Sequence, residues 1–476
     1  MKQIKYIRAL LVFCMFLITG SCSKQLDIVP QSQVTSSNFY KSTDDINQAV
    51  VGCYNALAAN GEYGENFLFF MEVAADNAKT ANLTNSGGIY GDFDVFRVAA
   101  DNPVLDQTWS ACYTGIQRCN ILLNRIGNIS MPDSLKAIRI GEAKFIRALT
   151  YFNMVRIWGA VPLVTKEVTD PFTEFDHGRD DTSLVYKQII TDLSEAALAL
   201  PLKQTGSNIG RATQGAAKTL LGKVYLTQHN FIQASQVLKA VVDSGTYQLL
   251  PNFANIFGSG NKNNNESIFE IQYSNSVVSL GSGFSNYFAI DASNIGGIGQ
   301  VLAYDIPTNA FIDSFSVNDL RRNGTLNKLN KKYYCKKFVD PAPVQNLDGN
   351  TNFMVLRYAD VLLMLAEAIN EMGFTANGDA FNYINQVRQR AGLANITSSN
   401  TPDQPSFRLA IEKERKYELA FENHRWFDLV RTGRAIDVMN TAPTENGIIN
   451  INKNNFLFYI PQSQIDVKPG LLTQNP

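Results

Sequence analysis

Residues 214–244 have the sequence QGAAKTLLGKVYLTQHNFIQASQVLKAVVDS, and this stretch decides the fold. Its apolar and small residues recur at helical spacing, so it predicts a pair of packed α-helices. Gly222 has no side chain and lets the two helices approach closely, Tyr225 fills the seam between them, and Ala234 avoids a clash in the facing helix. Leu221 and Leu238 complete a spacing that belongs to a known helix-pair motif.

That motif is the tetratricopeptide repeat, and similar patterns extend outward from it in both directions. The helices that these patterns predict are Asp44–Ala59, Trp109–Ile126, Ser134–Trp158, Ser183–Leu200, Arg357–Glu371 and Ala380–Arg390. Long loops interrupt the spacing. The sequence therefore predicts a mainly all-α fold, a superhelix of irregular helix pairs and not a regular solenoid.

The first 21 residues have the order of a secretory leader, with a basic start, an apolar run at Ala9–Ile18 and small residues before Cys22. That apolar run is too short to span a bilayer as a permanent helix. A cysteine directly after the small residues predicts lipidation, which would hold an exported chain at a membrane surface. The alternative is an ordinary leader cut nearby, with Cys22 left as a free thiol. We expect a signal peptide at 1–21 and a tether at 22–38.

Composition excludes several classes of function. Of the 476 residues, 45% are hydrophobic and 11% are aromatic, which is typical of a packed globular protein. The 42 basic and 43 acidic side chains nearly cancel, so no overall charge would attract nucleic acid or anionic lipid. Four further cysteines are expected to be buried free thiols, although an exported chain can form disulfides. They are Cys53, Cys112, Cys119 and Cys335.

The sequence carries few signs of catalytic chemistry. The histidines His177, His229 and His424 do not have the spacing of a zinc site. The sequence also contains neither a nucleophile elbow nor a phosphate-binding loop before a helix. We therefore predict a protein that is not an enzyme and that has no catalytic residue, metal or cofactor.

The most prominent charged cluster lies within Ile411–Arg431. Arg415, Glu418, Glu422 and Arg425 follow one another at steps of three and four residues, so a continuous helix would place them on one stripe of alternating sign. Neighbouring arginines lower the pKa of a carboxyl group, whereas a glycosidase needs one carboxyl group with a raised pKa. The stripe therefore predicts a structural network of ion pairs.

Two polar, Gly-rich stretches, 77–102 and 274–308, carry aromatic residues and predict the ligand site. Aromatic rings stack on the apolar face of a sugar while polar neighbours bond its hydroxyl groups. The candidate ligand contacts are Tyr90, Phe93, Phe284 and Tyr287. The alternative role for these rings is packing within the loops or contact with a partner protein.

Five segments together resemble the SusD/RagB family of outer-membrane nutrient-binding lipoproteins of Bacteroidetes. They are CSKQLDIVP (22–30), the pattern Trp109-x3-Tyr113-x2-Ile116-x3-Asn120, GEAKFIRALTYFNMVRIWGAVPLV (141–164), RYADVLLMLAEAINEMG (357–373) leading to INQVRQRAGL (384–393), and ERKYELAFENHRWFDLVRTGR (414–434). The ending LLTQNP (471–476) is also similar to that of the family. These segments cover nearly the whole mature chain in order, but they carry no ligand-binding residue across.

The resemblance implies a scaffold of four tetratricopeptide-like helix pairs with an irregular part laid over it. We expect the scaffold at 39–260 and 355–476, and the loop-rich part of the same domain at 261–354. The resemblance also implies a lipid-anchored protein on the outer face of the outer membrane. There it would capture a glycan or peptide for a SusC-like TonB-dependent transporter.

Three hypotheses compete at this point. A nutrient-binding lipoprotein accounts for the leader, the helix pairs and the aromatic loops. A tetratricopeptide adaptor without a small ligand accounts for the helix pairs alone. A lipid-anchored glycosidase accounts for the leader and the aromatic loops, but the sequence offers it no credible pair of acids.

Overall fold

The computed structural model describes residues 39–170, 177–277, 280–291, 300–340, 347–442, 445 and 450–476. The predicted leader, the predicted lipidation site Cys22 and the tether at 22–38 lie outside these residues. The predicted division of the domain at residues 260 and 355 stays a prediction.

Helices make up most of the regular structure in the described residues. In chain order they are α1 (Thr43–Leu57), α2 (Gly91–Asp94), α3 (Pro103–Arg125), α4 (Asp133–Trp158), α5 (Thr182–Ala199), α6 (Gln214–Thr227), α7 (Phe231–Asp243), α8 (Phe284–Phe288), α9 (Asn309–Ser314), α10 (Leu320–Thr325), α11 (Tyr358–Met372), α12 (Asp379–Arg390), α13 (Gln404–Glu418), α14 (Arg425–Arg431), α15 (Ala435–Thr441) and α16 (Gln462–Val467). The strands are β1 (Ala78–Lys79), β2 (Ser267–Ile271), β3 (Ile306–Pro307), β4 (Leu326–Leu329), β5 (Lys332–Cys335) and β6 (Phe353–Arg357).

The pair α6 and α7 confirms the packing that the sequence predicts. Gly222 faces Leu238 so closely that a Cβ atom at Gly222 would lie 2.5 Å from the Leu238 Cγ atom. Ala234 is fully buried in the seam, and Tyr225 is half-buried at its edge. The helices α1 and α3, α4 and α5, and α11 and α12 pack in further pairs. The mainly α-helical, tetratricopeptide-like fold is therefore confirmed.

Side-chain caps explain where several helices begin. Ser42 accepts a hydrogen bond from the Asp45 backbone N–H, and the Asp45 carboxylate accepts one from the Ser42 backbone N–H. This capping box starts α1. Asn102 caps α3, whose first residue is Pro103. The cap places the start of α3 six residues before the predicted start at Trp109.

Two small antiparallel sheets join segments that are far apart in the chain. In one, Ala78 of β1 lies opposite Pro307 of β3. In the other, Ser267 of β2 lies opposite Arg357 of β6. The first sheet brings the two aromatic stretches, 77–102 and 274–308, side by side. The two stretches that carry the candidate ligand residues are therefore neighbours in the fold.

The prediction of one continuous helix through Ile411–Arg431 is wrong. Helix α13 ends at Glu418, and α14 begins at Arg425. Between them, Phe421 and Asn423 have positive φ angles of 64° and 63°. The Glu72 carboxylate accepts hydrogen bonds from the backbone N–H groups of Phe421 and Asn423 at 2.9 and 3.1 Å. A distant side chain thus stabilises a break that helical periodicity does not reveal.

Candidate functional site

The four candidate ligand residues do not all face solvent. Phe93 lies in α2 and Phe284 in α8, and both side chains are fully buried. The Phe93 ring packs against Phe70 at 4.9 Å between ring centroids, and the Phe284 ring packs against Tyr273 at 5.3 Å. The expectation that these two rings offer a free face is therefore wrong. Short helices in polar stretches turn them into the core.

Tyr90 is the candidate that keeps an exposed surface. Its half-buried ring stacks on Phe69, with centroids 4.6 Å apart and planes 22° apart. On another side it meets Tyr304, with centroids 4.5 Å apart. Tyr287 lies deeper, is only 2% exposed, and stacks on Tyr304 at 5.6 Å. The three tyrosines therefore form one continuous aromatic group, with Tyr90 at its surface.

A carboxylate ties these tyrosines together. The Tyr287 hydroxyl donates a hydrogen bond to Glu65 Oε2 at 3.1 Å, and the Tyr90 hydroxyl also hydrogen-bonds Glu65. Burial raises the pKa of Glu65, and the two tyrosine hydrogen bonds partly oppose that rise. The Tyr304 hydroxyl hydrogen-bonds both Ser86 and Tyr90. We call these five residues the tyrosine–glutamate cluster; they are Glu65, Ser86, Tyr90, Tyr287 and Tyr304.

A tight loop positions Tyr90 at the start of α2. A Cβ atom on Gly91 would lie 2.4 Å from the Leu83 carbonyl oxygen, so only glycine fits this close approach. The Asn102 side-chain amide donates to the Ile89 carbonyl at 3.0 Å. On the opposing stretch, the Tyr304 backbone N–H donates to the Tyr287 carbonyl at 2.8 Å. Backbone contacts therefore hold both halves of the cluster in place.

Sequence reasoning found Tyr90 and Tyr287 but missed the other members of the cluster. Tyr304 offered a signal, because it belongs to the same aromatic stretch as Tyr287. Ser86 lies in the same polar stretch as Tyr90 but was not distinguished from its polar neighbours. Glu65 offered no signal, since it reaches Tyr287 across a separation of 222 residues. Whether any of these side chains contacts a ligand stays a prediction.

Acidic groups lie beneath the cluster. Asp305 follows Tyr304 directly, is fully buried, and has no hydrogen-bond partner for either carboxyl oxygen among the described residues. Burial raises its pKa strongly, and the nearby Glu72 and Asp94 raise it further. These acids are closed off from solvent, so they do not form the open pair that hydrolysis of a glycosidic bond needs.

The stripe around Glu418 and Glu422 confirms the predicted structural network, although its partners come from elsewhere in the chain. Both side chains are buried, and Arg357 binds both, with distances of 2.5 Å to Glu418 and 2.6 Å to Glu422. Burial alone would raise the pKa of Glu418, but Arg390, Arg357 and Arg321 together lower it well below its usual range. A lowered pKa does not suit Glu418 to acid catalysis, and the Glu422 carboxyl group is occupied by Arg357 and Lys337.

A separate cavity lies away from the tyrosine–glutamate cluster. It has a volume of about 520 Å³, lies along α3 and is lined by Trp109, Tyr113, Gln117 and Val168, among others. Trp109 is only 3% exposed, and the Tyr113 hydroxyl is bonded to the Pro162 carbonyl at 2.8 Å. Within the described part of the chain, no group of three or more His, Cys, Asp or Glu residues is arranged to hold a metal ion.

The cysteines and helices of the described segments give no sign of a covalent cross-link or of a membrane span. Four buried cysteines are free thiols; they are Cys53, Cys112, Cys119 and Cys335. Over the same segments, every helix is too short or too polar to cross a bilayer.

Comparison with known proteins gives consistent matches along the chain. A family model described as "SusD family" matches residues 321–476, and one described as "Starch-binding associating with outer membrane" matches residues 24–226. A SusD-like protein of Formosa agariphila is 30% identical, with 95% of each chain covered. A SusD-like protein of Bacteroides ovatus is 28% identical over 87% of this chain and 80% of its own length.

Solved structures agree with these sequence matches. A SusD homologue from Bacteroides thetaiotaomicron has a TM-score of 0.80 and 26% identity, and the match covers 93% of this chain and 99% of that one. A laminarin-binding SusD-like protein has a TM-score of 0.77 and 27% identity, covering 92% of this chain and 100% of that one. By fold and by sequence over nearly its whole length, this chain belongs to the SusD family.

Proposed function

We propose that this protein binds glycans at the cell surface and captures them for import. The observation that carries the proposal is the tyrosine–glutamate cluster, in which Tyr90 offers an aromatic ring beside hydroxyl and carboxylate groups. Sugars have both an apolar face and hydroxyl groups, and such a cluster suits both. A SusD-like relative that is 27% identical binds laminarin, which supports a glycan as the ligand class.

The proposal includes a place and a partner for the protein. Lipidation at Cys22 would anchor the chain to the outer membrane with its body facing the exterior. The family description that names association with the outer membrane supports this location. Captured glycan would pass to a SusC-like TonB-dependent transporter in the same membrane. We include the SusC-like transporter in the proposal because this chain belongs to the SusD family.

The other two hypotheses have less support. A lipid-anchored glycosidase would need an accessible pair of acids, but Glu418 and Glu422 are held in buried ion pairs. An adaptor without a small ligand would leave the exposed part of the Tyr90 ring without a role. The proposed protein therefore binds its ligand and does not cleave it.

The test is a binding panel followed by titration of variants. Full-length protein in detergent is titrated calorimetrically with neutral, carboxylated and sulfated oligosaccharides and with peptides, and the glycans are checked for hydrolysis. For a glycan that the panel identifies as a ligand, Tyr90→Ala should weaken the binding free energy by about 2 kcal/mol, which is near thirtyfold in affinity. The reason is that the variant loses stacking area and binding geometry together. The variant should remain folded at the titration temperature, which its melting curve checks, because the ring loses its contacts with Phe69 and Tyr304 but is only half-buried.

Tyr383→Ala is the matched control, because Tyr383 is also half-buried but lies on α12 of the helical scaffold. It should leave glycan affinity at the parent value. Equal binding by the Tyr90→Ala variant and the parent would move the site away from the cluster. A panel in which only a peptide binds, or in which a glycan is cleaved, would contradict the proposed function itself.

A further inference from the structure

The tyrosine–glutamate cluster is rich in hydrogen-bond acceptors and poor in positive charge. The Tyr287 and Tyr90 hydroxyls both direct hydrogen bonds to Glu65, so their protons are already committed inside the cluster. What these groups can still offer a ligand is the oxygen lone pairs of the hydroxyl groups and of the Glu65 carboxylate. Such groups accept hydrogen bonds from sugar hydroxyls but offer little to a ligand group that itself only accepts.

The electrostatic surroundings point the same way. Among the described residues, the strongest hydrogen-bonding and electrostatic partners of Glu65, Tyr90, Tyr287 and Tyr304 are glutamate, tyrosine and serine, with neither lysine nor arginine. Lys79, on the adjoining strand β1, is paired with Glu445. The residue after Tyr304 is the buried Asp305, which is near Glu72 and Asp94. Among the described residues, the site therefore has carboxyl groups of its own but no lysine or arginine that could neutralise the negative charge of an acidic ligand.

A carboxylated or sulfated sugar would meet two costs there. Its charged oxygens would lose water without gaining a donor, and an acceptor that is buried without a partner is expensive. Its negative charge would also lie close to Glu65, whose ionised form the Tyr90 and Tyr287 hydrogen bonds favour, and like charges repel more strongly where water is partly excluded. A neutral sugar meets neither cost, because its hydroxyl groups can donate to the same acceptors.

We propose that this site selects neutral glycans over carboxylated or sulfated ones and that Glu65 determines this selection. The inference rests on the proposed glycan capture and names the substrate class of the same site. Recognition of acidic glycans usually calls for arginine or lysine, which pair with carboxylate and sulfate groups. The described residues of the cluster contain neither.

The test uses matched probes that differ only in charge. Laminarihexaose, maltohexaose and cellohexaose are each titrated beside the same hexaose with its primary alcohol groups oxidised to carboxylates, and a sulfated hexasaccharide completes the set. For a neutral hexaose that binds full-length protein, the carboxylated partner should bind at least tenfold more weakly. The ratio of the affinity for the neutral hexaose to the affinity for its carboxylated partner measures the selection. In Glu65→Gln, which keeps the side-chain shape but removes the charge, this ratio should shrink at least threefold.

Asp92→Asn is the control, because it removes the same charge from the neighbouring α2 segment, and Asp92 is not among the main hydrogen-bonding or electrostatic partners of the cluster. It should keep the parent ratio. Carboxylated or sulfated probes that bind as tightly as neutral ones would overturn the inference while leaving glycan capture intact. An unchanged ratio in Glu65→Gln, or an equal change in Asp92→Asn, would overturn the role of Glu65. Failure of every glycan probe to bind would overturn glycan capture and this inference together.

Discussion

Two sets of buried carboxyl groups in this protein differ in whether an arginine or lysine forms an ion pair with them. The paired set comprises Glu266, Glu418 and Glu422, and the unpaired set comprises Glu62, Glu72 and Asp305; every member is at most 2% exposed. In the paired set the pKa of Glu418 lies well below its usual range. In the unpaired set the pKa of Glu62 is raised to about 8. Burial alone therefore does not determine the pKa of a carboxyl group, because a neighbouring arginine or lysine can lower it.

Arg357 holds the paired set together. Its guanidinium group lies 2.9 Å from Glu266, 2.5 Å from Glu418 and 2.6 Å from Glu422. Lys337 adds a further contact of 2.7 Å to Glu422. The network links β6, the end of α13 and the chain before β2. These ion pairs therefore connect the sheet of β2 and β6 to helix α13.

Glu62 is the simplest member of the unpaired set. Neither of its carboxyl oxygens has a hydrogen-bond partner in the described part of the chain, and burial raises its pKa. It lies against Gly115 of α3, where a Cβ atom would come within 3.3 Å of Oε1. Burial also raises the pKa of Glu72 to about 8, although Glu72 accepts two backbone hydrogen bonds. Burial therefore favours the protonated form of both acids at neutral pH.

The largest effect is expected from removing the shared cation. Arg357→Met should lower the free energy of unfolding by about 3–5 kcal/mol, because it leaves buried carboxylates with too little positive charge. Urea denaturation at pH 7 measures this loss. Arg408→Met is the control, since Arg408 pairs with Glu371 but has a side chain that is 48% exposed. A loss below about 1 kcal/mol for Arg357→Met would show that the network contributes little to stability.

The unpaired set predicts a pH dependence of the opposite sign from that of a paired acid. The pKa of Glu62 is about 8 in the folded state, against an ordinary value of 4.5. Between these pH values the folded state binds a proton that the unfolded state does not, so stability falls as pH rises. The contribution of Glu62 is present below pH 4.5 and is lost as pH rises through about 8.

Glu62→Gln tests this sign, because glutamine has no proton to lose. Relative to the parent, the variant should gain about 3 kcal/mol more at pH 8 than at pH 5. Urea denaturation at both pH values measures the difference. Glu72 keeps its raised pKa in this variant, so part of the parent pH dependence should remain. Identical pH dependence in parent and variant would mean that Glu62 is ionised in the folded protein.

The helical scaffold was more predictable from the sequence than these buried charges were. Gly222 and Ala234 signalled a close helix pair because the relevant contacts follow local spacing. The partners of Glu418 could not be found in that way, since Arg357 lies 61 residues away in the chain. Glu62 left no signal at all, because its lack of a cation appears only when the fold is complete.

The candidate site shows the same division. Polar, aromatic-bearing stretches predicted four ligand-contacting rings, of which only Tyr90 is partly exposed, and its contact with a ligand stays a prediction. The burial of Phe93 and Phe284 depends on short helices that turn these rings toward Phe70 and Tyr273. Residue type alone does not distinguish a ring that packs inward from one that faces solvent. Tertiary contacts decide it.

The smallest effect is expected where an ion pair is exposed. Lys239 and Asp243 lie one helical turn apart on α7 at 2.7 Å, with side chains that are 57% and 58% exposed. Water already solvates both charges, so the pair gains little from its own contact. Lys239→Met should leave the melting temperature at the parent value in low and in high salt. A decrease as large as that of Arg357→Met would mean that pairing itself, and not pairing under burial, stabilises this fold. If the melting temperature of Lys239→Met is unchanged, we infer that Arg357 stabilises the protein because the carboxylates that it neutralises are buried.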